Sequence, residues 1–242
     1  MQVVGILGGM GPAAGADFVR LFVQACTQRM QRSGLSVRDQ SYPEHWLAQV
    51  PVPDRSYALQ DAQNGAHQPL EPMLQALGRL AALGARSVAI ACNTAHAWHT
   101  PLQARFPQVE VLHMAQECAK RLAEQSVLQA ALMATQGTYR VGLYERALKD
   151  AGLICHTPTE TERERIMHGI YQGVKAGNMQ LAQQCFAAVA DSLVQRHGAI
   201  HLVLGCTEIP LALDRVQGLS KDQLLDPAQV LAEALAQRAY AL

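Results

Sequence analysis

The chain has 242 residues, of which 49% are hydrophobic and 17% charged, and its 20 basic and 20 acidic residues balance. A core-forming chain with no net charge and no block of like charge is not typical of a nucleic-acid-binding protein or of one that docks on an anionic membrane. No apolar run reaches the length of a membrane span, and the amino terminus lacks the basic segment of a signal peptide, so the sequence predicts a cytoplasmic protein.

Short apolar segments alternate with longer amphipathic ones, which predicts β-strands alternating with α-helices. The predicted strands are Val3–Leu7, Ser87–Cys92, Glu110–Leu112, Leu128–Met133, Leu153–Cys155, Ile200–Leu204 and Gln223–Leu225. The predicted helices are Pro12–Met30, Pro69–Leu83, Met114–Gln125, Thr159–Ala176, Met179–His197 and Pro227–Ala241. Apolar strands that alternate with helices indicate parallel sheets covered on both faces, so we expect a doubly wound α/β fold.

The segment Gln40–Ser56 interrupts this alternation because it contains Pro43, Pro51 and Pro53. Proline lacks the backbone N–H that helices and central strands require, so the segment is predicted to be a long loop. Long loops in compact domains are often functional, and this one contains Arg55.

Two stretches of the chain are repeated at nearly the same spacing. Val111–Ala123 resembles Leu224–Ala236, and the predicted strand that ends at Cys92 resembles the one that ends at Cys206. Because the two matches are in step, they indicate a duplicated α/β unit.

The chain has six cysteines and no C-x-x-C pair, which argues against a zinc ribbon or a thioredoxin-type motif and fits a reducing compartment. Four of them lie within predicted helices or a strand, where free cysteines usually act as small buried apolar residues. These four are Cys26, Cys118, Cys155 and Cys185.

Cys92 and Cys206 differ from the other four because each ends an apolar strand before a polar turn into a predicted helix. Carboxyl ends of parallel strands line the ligand crevice in doubly wound folds, and a following helix lowers a thiol pKa. Two such thiols on equivalent edges facing one cleft suit proton transfer on opposite faces of one carbon atom.

Polar residues follow both thiols. The side chains of Asn93, Thr94, Thr207 and Glu208, with the nearby helix-end amides, are expected to hold a carboxylate and stabilise charge that develops on it. His96 lies one helical turn after the first thiol, where it either tunes that thiol or is an ordinary capping residue.

The sequence predicts no metal and no cofactor. The glycine turn Gly8–Pro12 loosely matches a dinucleotide fingerprint, but Pro12 removes an amide and the expected acidic residue is missing, so we interpret the turn, including Met10, as a binder of a small anion. His96 and His99 form an H-x-x-H pair, but no carboxylate lies at a spacing suited to a third metal ligand, which argues against a metal site. A phosphate-loop lysine is absent, and no lysine stands out as an anchor for pyridoxal phosphate.

Three motifs resemble the aspartate/glutamate racemase superfamily, and within it the aspartate racemase branch. They are Gly-Ile-Leu-Gly-Gly-Met-Gly-Pro ending at Pro12, Ala-Cys-Asn-Thr-Ala-His ending at His96, and Leu-Gly-Cys-Thr-Glu-Ile-Pro ending at Pro210. The resemblance implies two pseudo-symmetric α/β domains with the active site in the cleft between them, no cofactor, and frequent homodimers. It also implies domain boundaries at 1–112 plus 224–242 and at 113–223.

Carried over residue by residue, the resemblance makes Cys92 and Cys206 the proton-transfer pair. It places Arg55 and Lys175 at the acidic side chain of the substrate. The α-carboxylate and amino group would meet Asn93, Thr94, Thr135, Thr138 and Thr207.

The sequence therefore predicts a cofactor-independent amino-acid racemase acting on aspartate. Bulky residues at Tyr42–Leu47 and at Tyr139 and Arg140 depart from the pattern expected of the family and leave the side-chain specificity open. The alternatives are a glutamate or broad-specificity amino-acid racemase, a hydantoin racemase, a maleate isomerase, a non-catalytic amino-acid-binding protein and a nicotinamide-dependent oxidoreductase.

Overall fold

The computed structural model describes residues 1–60 and 68–241, which form an α/β fold with two parallel four-stranded sheets. The strands are β1 (Val4–Gly8), β2 (His45–Gln49), β3 (Ser87–Ile90), β4 (Glu110–Val111), β5 (Gln129–Ala134), β6 (Ile154–His156), β7 (His201–Gly205) and β8 (Leu224–Leu225). The helices are α1 (Pro12–Arg32), α2 (Arg55–Gln60), α3 (Leu70–Ala82), α4 (His99–Arg105), α5 (Met114–Glu124), α6 (Gln136–Arg140), α7 (Leu143–Asp150), α8 (Glu160–His168), α9 (Met179–His197), α10 (Ile209–Ala212) and α11 (Pro227–Ala239). None of the helices in this part of the chain combines the length and apolar character that crossing a membrane requires.

The chain divides into two compact units, each with one sheet. Unit 1 comprises Met1–Glu117 and Ala228–Leu242, and unit 2 comprises Cys118–Pro227. The strand order is β2-β1-β3-β4 in unit 1 and β6-β5-β7-β8 in unit 2, and neighbouring strands are parallel. The two sheets thus repeat one topology, which confirms the duplicated α/β unit predicted from the sequence.

The sheet of unit 1 is covered on both faces because its central strands, β1 and β3, are apolar on both sides. Ile6 of β1 packs in one cluster with Phe18 of α1 and Leu231 of α11. The next residue, Leu7, points to the opposite face and packs with Leu77 of α3. Successive strand residues point to opposite faces, so a continuous apolar run is what a sheet buried on both faces requires.

In unit 2, helix α9 packs against the sheet through an apolar stripe. Phe186 and Leu193 of α9 cluster with Met133 of β5, Leu204 of β7 and Ile166 of α8. This packing fixes the carboxyl ends of β5 and β7, where the candidate site residues of unit 2 lie.

The prediction of one long loop over Gln40–Ser56 is wrong. Strand β2 lies inside this segment and pairs in parallel with β1, from Val4↔His45 to Gly8↔Gln49. The prolines flank the strand instead of interrupting it, and β2 is at the sheet edge, where only one side needs hydrogen-bond partners. Arg55 accordingly begins helix α2 instead of lying in a loop.

The single helix predicted over Thr159–Ala176 is also wrong. Helix α8 ends at His168, and a π-turn (Gly169–Gly173) and a 3-10 turn (Val174–Ala176) follow it. The turn packs so closely on α9 that a Cβ at Gly173 would lie 2.7 Å from the Cβ of Ala182. Glycine is therefore needed for this contact.

Within the described residues, the periodicity also missed five short helices. They have eight residues or fewer, too few for an amphipathic pattern to stand out. These helices are α2, α4, α6, α7 and α10.

Candidate active site

Cys92 and Cys206 are presented by the same local turn, each in its own unit. The backbone N–H of Cys92 donates to the carbonyl of Ile90 at 2.8 Å, and that of Cys206 donates to the carbonyl of Leu204 at 2.9 Å. Three-residue turns of this kind are common at strand ends. Both thiol residues are buried, with 5% of each exposed. The repeat seen in the sequence therefore extends to the backbone that carries the two sulfur atoms.

The glycine turn of unit 1 begins where β1 ends and is shaped by the residues that follow β2. Gly9 has φ +94°, and a Cβ there would collide with the backbone of Val50. Since L side chains rarely adopt this conformation, the position requires glycine on two grounds. The N–H of Val50 donates to the carbonyl of Gly8 at 3.3 Å, which holds the two segments together.

Arg55 connects the same two segments through its side chain. Its Nη2 donates to the carbonyl of Met10 at 2.6 Å, and its Nη1 donates to the carbonyls of Val52 and Pro53, each at 3.1 Å. The residue is buried, with 8% exposed. The structure thus fixes the Arg55 guanidinium beside the glycine turn, at the edge of the sheet where β1 and β2 end.

Asn93 and Thr94 lie at the same edge because they directly follow β3 and Cys92. Both are buried, and Thr94 opens the 3-10 turn Thr94–Trp98. Parallel strands end at a common edge, so unit 1 brings together five of the predicted site residues. These are Met10, Arg55, Cys92, Asn93 and Thr94.

His96 supports the turn that carries Cys92. Its Nδ1 lies 2.9 Å from the carbonyl oxygen of Cys92 and 3.2 Å from that of Asn93, so Nδ1 carries the proton and donates it. Burial, together with the neighbouring His99, lowers the pKa of His96 from 6.5 to about 4. The ring is therefore neutral at neutral pH, and we interpret His96 as a support for the turn backbone.

The buried neutral ring predicts a pH-dependent stability. Between pH 6.5 and about 4 the unfolded chain binds a proton that folded His96 does not, so the free energy of unfolding falls as the pH is lowered through this window. The expected loss from this residue is about 3 kcal/mol, and it is absent above pH 6.5. Urea unfolding followed at several pH values measures it.

The fluorescence of Trp46 and Trp98 reports on this prediction, because the chain has two tryptophans and both lie in unit 1 with His96. In His96→Gln the free energy of unfolding is expected to fall by about 3 kcal/mol less between pH 6.5 and pH 4 than it does in the wild type. Equal pH dependence in the wild type and the variant would contradict the assignment.

Three histidine rings of unit 1, including that of His96, lie close to one another. The ring centroids of His96, His99 and His113 are separated by 4.8 to 6.3 Å, and Nε2 of His99 lies 2.6 Å from the carbonyl oxygen of Val111. Within residues 1–60 and 68–241, no group of three or more His, Cys, Asp or Glu side chains is arranged to hold a metal ion.

At the equivalent edge of unit 2, Thr135 and Thr138 form a compact turn after β5. The Oγ1 of Thr135 accepts from the backbone N–H of Thr138 at 3.2 Å and caps helix α6, and the two hydroxyl oxygens lie 3.1 Å apart. Both residues are buried. The structure therefore brings the two predicted threonines together.

Tyr139, one of the departures seen in the sequence, supports this turn from inside unit 2. Its hydroxyl accepts from the N–H of Ala134 at 2.8 Å and donates to the carbonyl of Leu132 at 2.9 Å. Pairing between β5 and β6 stops at Ala131↔His156, so the hydroxyl takes the place of a strand partner beyond that point. Burial raises the pKa of Tyr139 far above its ordinary value and keeps the hydroxyl protonated.

Cys206, Thr207 and Glu208 follow β7 and contact one another. The Cys206 thiol donates to Oε2 of Glu208 at 2.9 Å, and the Thr207 hydroxyl donates to the same oxygen at 3.1 Å. All three residues are buried. This thiol–carboxylate contact was not predicted from the sequence. The signal that could have indicated it is the position of Glu208 two residues after Cys206.

Lys175 does not follow a strand but lies in the exposed 3-10 turn between the π-turn and α9. Its Nζ lies 4.4 Å from the centroid of the Tyr171 ring, a distance typical of a cation–π contact. Its predicted contact with the substrate stays a prediction.

Comparison with known proteins places these features in a family. A model of the Asp/Glu/Hydantoin racemase family matches residues 7–235. The chain is 24% identical over 234 residues to the broad specificity amino-acid racemase RacX of Bacillus subtilis, covering 96% of each protein. Its fold is similar to that of the Picrophilus torridus aspartate racemase, with a TM-score of 0.75, 24% identity and coverage of 99% of this chain and 94% of that one. An aspartate racemase homologue from Pyrococcus horikoshii gives a TM-score of 0.74 at 21% identity, with 100% of both chains covered.

Proposed function

This chain belongs to the Asp/Glu/hydantoin racemase family, and from that premise we propose that it is a cofactor-independent amino-acid racemase that interconverts the L- and D-enantiomers of aspartate. The observation that carries the proposal is the pair of cysteines, each held by the same turn at the carboxyl end of an equivalent strand. The fold shared with aspartate racemases and the similarity to RacX support it.

In the proposed mechanism, Cys92 and Cys206 act on opposite faces of the substrate α-carbon. One cysteine, as a thiolate, removes the α-proton, and the electron pair of that C–H bond is delocalised into the substrate carboxylate. The other cysteine, as a thiol, donates its proton to the opposite face, and the two sulfur atoms have then exchanged roles. A single base would tend to return the proton to the face it left, so inversion needs both groups.

The remaining predicted residues would hold the substrate during this transfer. Hydroxyl, amide and backbone N–H groups can stabilise the charge that develops on the carboxylate when the α-proton leaves. We assign this part of the site to Asn93, Thr94, Thr135, Thr138 and Thr207, with the glycine turn at Met10 beside it. Arg55 and Lys175 are the proposed partners of the acidic side chain.

A second candidate is a broad-specificity amino-acid racemase. The terminal nitrogens of Arg55 donate to three backbone carbonyls, which gives this residue a role in shaping the site as well as a charge. The similarity to RacX favours the same candidate.

Exchange of the α-proton in heavy water tests the proposal. The protein, without added cofactor or metal, is incubated with each enantiomer of aspartate, glutamate, alanine and serine. We expect deuterium incorporation with inversion, fastest for aspartate. Comparable rates for all four amino acids would select the broad-specificity candidate, and activity that requires an added cofactor would contradict the proposal.

The same assay separates an amino-acid racemase from proteins with a different activity. Exchange of a hydantoin, or isomerisation of maleate, without exchange of any amino acid would identify a different activity of the family. Binding of an amino acid without exchange would identify a non-catalytic binding protein, and binding of a nicotinamide dinucleotide would favour an oxidoreductase.

The proposal also covers the domain boundaries, the oligomeric state and the cellular location. We propose folding domains at 1–112 plus 224–242 and at 113–223, a homodimer, and a cytoplasmic location. Light scattering on the purified protein measures the oligomeric state directly.

A further inference from the structure

The two proposed catalytic thiols differ in the charge that lies beside them. The Cys206 thiol and the Thr207 hydroxyl both donate to Oε2 of Glu208, at 2.9 and 3.1 Å. An ionised carboxylate accepts hydrogen bonds only, and two donors on one of its oxygens fit that form. Glu208 is buried, with 6% exposed, so its charge is poorly screened by water.

The equivalent position in unit 1 carries no carboxylate. Thr94 follows Cys92 by two residues, as Glu208 follows Cys206, and it is a buried hydroxyl group. The turns that hold the two sulfur atoms are alike, so the two turns differ at this position in whether they carry an acidic side chain.

A tyrosine is a further titratable group beside Cys206, and it does not offset the charge of Glu208. Tyr144 of α7 lies close enough to interact with Cys206, and it is fully buried, which raises its pKa well above the ordinary value and keeps it neutral. Tyr144 also interacts with Cys118 and Asp226. The Tyr144 hydroxyl therefore adds no positive charge beside Cys206.

We propose that Glu208 holds Cys206 in the thiol form, so that Cys206 is the resting proton donor of the pair and Cys92 the resting base. A thiolate beside a carboxylate is disfavoured by like-charge repulsion, and donation of the S–H group to the carboxylate stabilises the thiol. Glu208 thus acts through Cys206 as a positioning residue, and does not bind the substrate carboxylate as was expected from the sequence. This inference rests on the proposed function.

The proton balance of a turnover follows from this assignment. The Cys92 thiolate forms an S–H bond with the α-proton, and the electron pair of the broken C–H bond stays on the substrate. The S–H bond of Cys206 then breaks, and its proton forms the new C–H bond on the opposite face. Cys206 is left as a thiolate beside Glu208 and Cys92 as a thiol. The resting form is restored by a turnover in the reverse direction, or when Cys92 loses its proton to water and Cys206 takes up a proton from water.

A direct titration of the thiol tests the inference better than rates do. The two enantiomers have equal free energies, so kcat/KM must be equal in both directions whatever the resting state. The ultraviolet absorbance of thiolate is therefore followed against pH in the wild type and in Cys206→Ser, and the difference isolates Cys206. We expect a midpoint above the ordinary thiol value of about 8.5. The titration is repeated with Glu208→Gln and with the double variant Glu208→Gln/Cys206→Ser, and their difference gives the Cys206 midpoint in the absence of the carboxylate. We expect this midpoint to lie about one pH unit or more below that of the wild type, because the amide keeps the shape of the side chain but not its charge.

Cys92, isolated by Cys92→Ser in the same way, is the internal comparison, and its midpoint is expected to lie below that of Cys206. A wild-type Cys206 midpoint at or below the ordinary value overturns the inference, as does a folded Glu208→Gln variant with an unchanged midpoint. If circular dichroism shows that Glu208→Gln does not fold, the wild-type midpoints alone decide. The titration needs no turnover, so failure of the proposed racemase activity and failure of this inference are separate results.

Discussion

Replacing either Cys92 or Cys206 with alanine is expected to abolish racemisation from both enantiomers. Every turnover uses one sulfur atom as base and the other as acid, so neither direction survives the loss of one of them. Removal of an essential acid–base group lowers the rate by about 10²–10⁴-fold. Chiral chromatography of reactions started from L- and from D-aspartate measures both directions.

The matched controls are thiols outside the proposed site. Cys26 in unit 1 is fully buried in α1, where burial raises its pKa to about 12, and Cys185 in unit 2 lies in α9. Cys26→Ala and Cys185→Ala make the same chemical change, including the small cavity that it leaves, and are expected to keep the activity of the wild type.

The two active-site variants are expected to differ in the exchange that remains. With one thiol left, the enzyme can remove a proton from the enantiomer that faces this thiol and return a deuteron to the same face, without inversion. Cys92→Ala and Cys206→Ala should therefore show opposite enantiomer preferences in heavy water. If either variant, while folded, racemises at nearly the wild-type rate, the two-thiol mechanism is wrong for this protein.

The sequence predicts the central strands well because their physical signal is strong. A strand inside a parallel sheet with both faces covered is apolar at nearly every position, and in Ser87–Ile90 and His201–Gly205 only the first residue is polar. Turns that follow such strands lie at a common edge, so the chain order alone was enough to place Cys92 and Cys206 at strand ends.

The edge strand β2 was missed because its sequence lacks that signal. Trp46 and Leu47 are exposed, and the strand pairs on one side only, so neither a continuous apolar run nor a regular alternation is required of it. Its prolines, which argue against a central strand, are compatible with an edge strand that they flank.

The contacts that shape the site depend on the approach of segments distant in the chain. Arg55 donates to the carbonyl of Met10, which is 45 residues away. The Tyr139 hydroxyl bonds to the end of β5 because β6 stops short of it. Periodicity and spacing carry no information on such contacts, since they follow from where strands end and from which side chain then lies within reach.

Arg55→Leu is expected to lower kcat/KM for aspartate by a factor of roughly 30 to several thousand. The loss of a charged hydrogen bond to the substrate from a buried site costs about 2–5 kcal/mol, and each 1.4 kcal/mol is a factor of ten. The variant also loses three hydrogen bonds to backbone carbonyls, so part of the loss will affect every substrate. The informative quantity is therefore the ratio of kcat/KM for aspartate to kcat/KM for alanine.

Lys175→Met is the matched comparison, because Lys175 is exposed in a surface turn and its removal leaves the bonds around Met10 intact. It is expected to lower the aspartate-to-alanine ratio with little effect on alanine, whereas Arg55→Leu lowers both rates and the ratio as well. Arg55→Lys, which keeps the charge but not the forked donors, should retain more of the ratio than Arg55→Leu. If neither Arg55→Leu nor Lys175→Met changes the aspartate-to-alanine ratio, these two cations do not bind the acidic side chain of the substrate. Arg55 is then a support for the glycine turn, and the broad-specificity candidate replaces aspartate racemase.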